Sequence, residues 1–232
     1  MNGAEVPPQE NRSQLGDFVR AEIEKVGIKL NGERVDLTTL SNEQILQLFD
    51  NLMDSDAFVL HGTNAEEPYE TLEPRQANDA AKESGNKEAV YATIDKVAAL
   101  NHAIFNTNYI RTKLRSFTWG ESSYGDGKNA PTKVVVNMSP ELYQLFEEHD
   151  PNVLSDGYVY VLDKANFITA PDAGGAEFHS ETKQLPIVIC KVSKQLGDVL
   201  FVVGQGDKDT VREYTSDDLQ EIAVNREKWT KK

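Results

Sequence analysis

Three short segments of this 232-residue chain carry the side chains best suited to chemistry. Phe58-Val59-Leu60-His61-Gly62-Thr63 is an apolar run that closes on an imidazole, a glycine and a hydroxyl. An imidazole at a strand end can hydrogen-bond a ligand hydroxyl, and a glycine beside it lets a ligand approach the backbone closely. Val90-Tyr91-Ala92-Thr93-Ile94-Asp95 places a tyrosine where a strand runs into a helix, a flat face for stacking. Ala176-Glu177-Phe178-His179-Ser180-Glu181 precedes a β-rich run. Its two carboxylates, Glu177 and Glu181, can polarise a hydroxyl or stabilise a developing cation. Each piece also has an ordinary explanation alone: a histidine satisfied by its neighbours, a core tyrosine, a solvated charge.

Several familiar signatures are missing. The sequence holds no phosphate loop, no dinucleotide-binding glycine fingerprint, no Cys-x-x-Cys, no His-Glu-x-x-His and no Gly-x-Ser-x-Gly. The four histidines, His61, His102, His149 and His179, are not spaced to hold zinc on one helix face, so no metal site is expected.

These segments need elements to hold them. Residues 1–12 are polar with two prolines and are expected to be disordered. The spacing of Leu15, Phe18, Val19, Ile23 and Val26 predicts a helix over 13–26, closed by Gly27. Asn31-Gly32 between short alternating stretches predicts a hairpin over 28–37. Ser41 with Gln44 forms a capping box for a second helix, whose buried face is Ile45, Leu48, Phe49 and Leu52. Residues 13–55 therefore read as a helical appendage on an α+β domain spanning 56–232.

Within that domain, strands are expected at 57–60, 89–92, 109–119, 133–137, 157–162, 185–192 and 199–203. Helices are expected at 96–105, capped by Asp95, after Ser139-Pro140, and at 215–230. Residues 66–87, 120–127 and 167–183 read as loops or turns. Many strands with few intervening helices imply a mixed, mostly antiparallel sheet rather than a doubly wound parallel one.

Composition narrows the function classes. With 24 Lys+Arg against 38 Asp+Glu the net charge is −14. Such a surface repels phosphate backbones and anionic lipid, so nucleic acid is not an expected partner. The apolar runs are strand-sized, which predicts no membrane span. The first residues lack the basic and apolar regions of a signal peptide, and the single cysteine, Cys190, sits in an apolar run as a core residue. A cytoplasmic location follows as an expectation.

Taken in order, His61-Gly62, Tyr91-x-Ala and Glu177 resemble the ADP-ribosyltransferase fold in its His-Tyr-Glu branch, that of diphtheria toxin and the poly-ADP-ribose polymerases. The resemblance covers roughly residues 56–205. It implies a split, mostly antiparallel sheet, NAD as substrate, and transfer of ADP-ribose to a protein acceptor or to water. It further implies that His61 bonds a ribose hydroxyl, that Gly62 holds the nicotinamide amide through its backbone with Thr63 alongside, and that Tyr91 walls the nicotinamide pocket. Glu177 would stabilise the oxocarbenium ion, with Glu181 as the competing candidate. The second tyrosine of the polymerases, eleven positions after the first, falls on His102. RNA 2′-phosphotransferases of the same fold resemble the His-Gly-Thr run but need several arginines, and Arg75 is the sole arginine between Arg34 and Arg111. A non-catalytic binding module of the same fold is the alternative, and a toxin or effector role a third.

Overall fold

Local sequence signals account for most of the helix ends. Helix α1 (Gln9–Lys25) starts ahead of the expected position 13, so residues 9–12, expected to be disordered, form its first turns. It stops at Gly27, whose φ of +90° suits a residue without a side chain. Helix α2 (Asn42–Asp54) has the full capping box: Ser41 Oγ accepts from Gln44 N and the Gln44 side chain accepts from Ser41 N. Its Ile45, Leu48, Phe49 and Leu52 are buried as the spacing predicts. Asn51 donates to Glu22 at 3.0 Å and ties α2 to α1. This computed structural model describes residues 9–28, 32–76, 87–114, 119–124, 133–138, 140–170 and 176–197. The expected strand at 199–203 and helix at 215–230 lie outside them, as do Asn31 and Ser139.

The chain divides into two compact units. The first comprises residues 1–103 and 157–192 and the second residues 104–156 and 193–232. Both α1 and α2 fall in the first unit together with the main sheet. That sheet contains β1 (Arg34–Asp36), β2 (Phe58–Thr63), β3 (Arg75–Gln76), β4 (Glu88–Thr93), β7 (Gly157–Asp163), β8 (Ile168–Thr169), β9 (Glu177–Ser180) and β10 (Val188–Val192). The order is β1-β10-β7-β2-β4-β9-β8, with β3 paired to β4 off this path. Only the β1–β10 pairing is parallel among the described residues. The protein is α+β with a mixed, mostly antiparallel open sheet, as its sequence predicts.

Register divides the sheet into two faces, because neighbours across a ladder share a face and successive residues alternate. On one face Val59, Val90, Ala92, Tyr160, Leu162, Phe178 and Ile189 pack with Leu72 into a buried cluster. Leu72 comes from the chain segment between β2 and β3, so this is the loop face. The other face carries Phe58, against which Phe18 of α1 stacks with ring centroids 5.8 Å apart. It also receives α3 (Lys96–Ile104), and is the helix face.

Several sequence expectations need correction or extension. The first arm of the hairpin expected over 28–37 lies largely outside the described residues, and Arg34–Asp36 pairs in parallel with β10, a partner that a local Asn-Gly signal cannot announce. Of the strand expected at 109–119, residues 109–113 belong instead to helix α4 (Thr107–Lys113), started by Asn106, whose side chain accepts from Tyr109 N, and anchored by buried Ile110. The expected loop over 167–183 contains two strands, β8 and β9. The expected turn at 120–127 begins as strand β5 (Trp119–Tyr124), paired with β6 (Lys133–Met138). In the second unit helix α5 (Pro140–Glu147) follows this hairpin, and the Tyr109 hydroxyl donates to Asp150 at 2.5 Å.

Candidate functional site

His61, Gly62 and Thr63 do not trail off the end of a strand. All three belong to β2, paired with Tyr160, Val159 and Tyr158 of β7. Lys164 N donates to Ala57 O on this ladder, so alternation directs the backbone groups of residues 57, 59, 61 and 63 toward β7. Those of Leu60 and Gly62 point the other way, toward β4. There the ladder holds one registered pair, Leu60 with Thr93. Two residues further, the same register would set Gly62 against Tyr91.

It does not. The Tyr91 carbonyl lies 2.6 Å from His61 Nδ1 instead. A carbonyl only accepts, so the proton sits on Nδ1, and Nε2 of the neutral ring is left as an acceptor. The β2 and β4 strands therefore part at Gly62. Among the described residues no strand is registered against its N–H and C=O on that side. The result is a donor and an acceptor one residue apart from an imidazole, at a slit in an otherwise continuous sheet.

The glycine at this point has a cause that sequence reasoning missed. A Cβ on Gly62 would lie 1.8 Å from the Ala99 carbonyl oxygen, and one on Gly157 would lie 1.7 Å from that of Ala103. Both glycines admit the backbone of α3 onto the helix face. The helix is set by Thr93 and Asp95: Thr93 Oγ1 accepts from Asp95 N at 2.9 Å, and Asp95 Oδ1 accepts from Val97 N at 2.8 Å. Gly62 was expected to make room for a ligand; its missing side chain makes room for a helix, and only its in-plane N–H and C=O face the slit.

The other candidates sit on adjacent strands. Across β4 and β9, Tyr91 is paired with His179 and Thr93 with Glu177. Tyr91, Glu177 and His179 thus share the helix face, whereas His61 and Thr63 project from the loop face. The strands of His61, Tyr91 and Glu177 are neighbours in the order β2-β4-β9, but their side chains are not on one side of the sheet. The Tyr91 hydroxyl donates to Lys87 O at 2.9 Å and accepts from Lys87 N at 3.1 Å. Glu177 is half-buried in the first position of β9. Glu181 lies past the end of β9, exposed, with its carboxylate 3.6 Å from Lys87 Nζ. The same ammonium lies 3.2 Å from Nε2 of buried His179. His102 is exposed on α3. Glu177 is therefore the glutamate on the same face as Tyr91, in the row of Thr93, and Glu181 is a surface ion-pair partner.

On the loop face His61 is backed by aromatic rings. Its ring centroid is 5.8 Å from that of Tyr160, tilted at 57°. Tyr160 is fully buried, and its hydroxyl accepts from Tyr69 N at 2.9 Å. Burial pushes the Tyr160 phenol up to about 12. Arg75 on β3 lies over the Tyr69 ring, 5.1 Å from its centroid. Sequence reasoning did not connect Arg75, Tyr69 or Tyr160 with His61. Burial holds the His61 imidazole below its usual range; the Tyr91 carbonyl opposes this, and the Arg75 charge adds to it.

Other features carry less. Burial pushes the Cys190 thiol up to about 12, as suits a core residue. No group of three metal-ligating side chains occurs among the described residues. A cavity of about 420 Å³ lies away from the slit, lined by Arg12, Gly16, Asp17, Arg20, Glu33 and Val188 among others. Its charges largely offset each other, and Arg12 already donates to Pro186 O at 2.7 Å. No helix among the described residues is long and apolar enough to cross a membrane. Compared with protein-family models, with curated proteins and with solved structures, the chain matches none.

Proposed function

We propose that this chain is an ADP-ribosyltransferase-like protein that binds NAD at the slit between β2 and β4. The single observation that carries the reading is the parting of these strands at Gly62. It presents a backbone N–H and C=O beside a neutral histidine acceptor, on the strand next to that of Tyr91 and one removed from that of Glu177. An amide such as that of nicotinamide needs one donor and one acceptor in this spacing. His61 Nε2 accepts from a ribose hydroxyl, and Thr63 lies further along the same face of β2. For cleavage the nicotinamide-side ribose must reach Tyr91 and Glu177, which stand on the helix face of β4 and β9.

The chemistry is breakage of the bond between the ribose C1′ and the nicotinamide nitrogen. The electron pair leaves with nicotinamide, which becomes neutral, and the ribose ring oxygen shares the positive charge. The Glu177 carboxylate stabilises that cation, an effect largest where water is excluded. A nucleophile on a protein acceptor, or water, then bonds to C1′ and gives up a proton to solvent.

Nicotinamide release and NAD affinity are to be measured on the wild type and on Glu177→Gln. Release by the wild type and its loss in the variant support the reading. A wild type that shows neither NAD binding nor nicotinamide release overturns it. The placement of His61 on the face opposite Glu177 favours one second reading, a non-catalytic member of the same fold. That reading predicts NAD binding without release, equal in the two proteins.

A further inference from the structure

We infer that Arg75 is an anion-recognition residue beside the slit, placed to take the diphosphate of a nucleoside diphosphate or dinucleotide bound next to His61. This rests on the reading that a nucleotide occupies the slit, and it adds the residue that would hold its charged centre.

Contacts link four residues in a chain from Arg75 to His61. The Arg75 guanidinium lies over the Tyr69 ring at 5.1 Å, Tyr69 N donates to the Tyr160 hydroxyl at 2.9 Å, and the Tyr160 and His61 rings are 5.8 Å apart. Arg75 is also fixed by β3, where it is paired with Ala89 of β4, on the strand that carries Tyr91. A guanidinium that rests on an aromatic face keeps its N–H edges directed outward, the arrangement suited to bidentate contact with phosphate oxygens.

Charge argues the same way. In a chain with net charge −14, a cation near the core sheet ordinarily finds a carboxylate. Its neighbours do. Arg34 is paired with Glu70, and Lys183 Nζ lies 2.8 Å from Glu73. Among the described residues Arg75 has no carboxylate partner and rests on the Tyr69 ring instead. Its field nevertheless reaches His61, where it helps disfavour the protonated imidazole. An anion at Arg75 would therefore sit within electrostatic range of the ring proposed to bond a ribose hydroxyl.

The experiment is calorimetric titration of the full chain with ADP, NAD and nicotinamide, for wild type, Arg75→Gln and Arg75→Lys. Arg75 is exposed, and circular dichroism melting checks that each variant folds. ADP should bind the wild type about 10–100-fold more tightly than Arg75→Gln, the size expected of charge-assisted hydrogen bonds, and Arg75→Lys should fall between. ADP binding by the wild type that is unchanged in Arg75→Gln overturns the inference, as does the absence of ADP binding. The two proposals fail separately. ADP binding that follows Arg75 without nicotinamide release leaves this inference standing and removes the catalytic one. NAD cleavage by wild type and Arg75→Gln at equal affinity does the reverse.

Discussion

His61 Nδ1 lies 2.6 Å from the Tyr91 carbonyl, the acceptor that Gly62 would claim if β2 and β4 remained paired. One side chain thereby substitutes for a backbone rung. The contact occupies the Tyr91 carbonyl, and it fixes which ring nitrogen carries the proton. The strand parting and the tautomer are the same event, so disturbing the histidine should disturb both.

Stability should report on that ring. Burial holds the His61 pKa below the ordinary histidine value of 6.5. Above about pH 6.5 the ring is neutral in the folded and unfolded chains, and contributes no pH dependence. Below it the unfolded chain takes up a proton that the folded chain resists, so stability falls as pH falls, until the folded pKa is passed. Urea midpoints measured from pH 7.5 down to 5.5 should therefore drop more for the wild type than for His61→Gln. Parallel losses in the two proteins would show that His61 is not the group responsible.

Glycine substitutions separate packing from conformational freedom. Gly62→Ala and Gly157→Ala each drive a Cβ into a helix carbonyl, at 1.8 and 1.7 Å, and backbone there cannot swing aside. Each should cost about 3 kcal/mol or more in urea unfolding. At Gly16, in the middle of α1, an added Cβ would meet nothing within 4 Å. Gly16→Ala should gain about 0.5–1 kcal/mol through helix propensity. A mild Gly62→Ala phenotype would mean that α3 does not rest on β2 as described.

Much of the frame was legible because its signals are local. Ser41 with Gln44 and Asp95 before Val97 mark helix starts through bonds made within three residues, and both are observed. The strands expected at 57–60, 89–92 and 157–162 are likewise observed, as β2, β4 and β7. What escaped was nonlocal or polar. The partner of Val35 is Cys190, far along the chain, and no turn residue encodes that pairing. Glu177–Ser180 reads as loop because two of its buried residues, His179 and Ser180, are polar; Ser180 Oγ accepts from Gln184 at 2.9 Å, a partner outside the strand. Tyr109 in α4 shows the reverse error, where β-favouring residues mask a helix that Asn106 caps. In the candidate site, the His-Gly pair was visible, but the reason for the glycine and the proximity of Arg75 depend on α3 and β3 arriving from elsewhere.

Cys190 offers a probe of the sheet. The thiol is fully buried on β10 and its pKa is pushed up to about 12 by burial, so almost none is thiolate at neutral pH. A thiol-reactive chromophore should label one equivalent in denaturant and essentially none in the folded protein over the same minutes. Rapid labelling without denaturant would place Cys190 outside the core.

The two candidate glutamates make opposite predictions. Glu177 is half-buried, shares a row with Thr93 and Leu60, and lies one strand from Tyr91 on the helix face. Glu181 lies beyond the strand end, exposed, and 3.6 Å from Lys87 Nζ. An exposed pair of this kind contributes about 1 kcal/mol or less to stability. If NAD cleavage occurs, Glu177→Gln should reduce nicotinamide release on the order of 100-fold, the scale seen when one electrostatic stabiliser of a transition state is removed, while NAD affinity changes little. Glu181→Gln should leave release within about twofold of wild type, as expected of a surface ion pair with no part in the reaction. Equal losses in the two variants would argue that the β9 strand as a whole, rather than the Glu177 carboxylate, is what the reaction needs. A loss confined to Glu181→Gln would move the catalytic carboxylate to the strand end beside Lys87 and take Glu177 out of the mechanism.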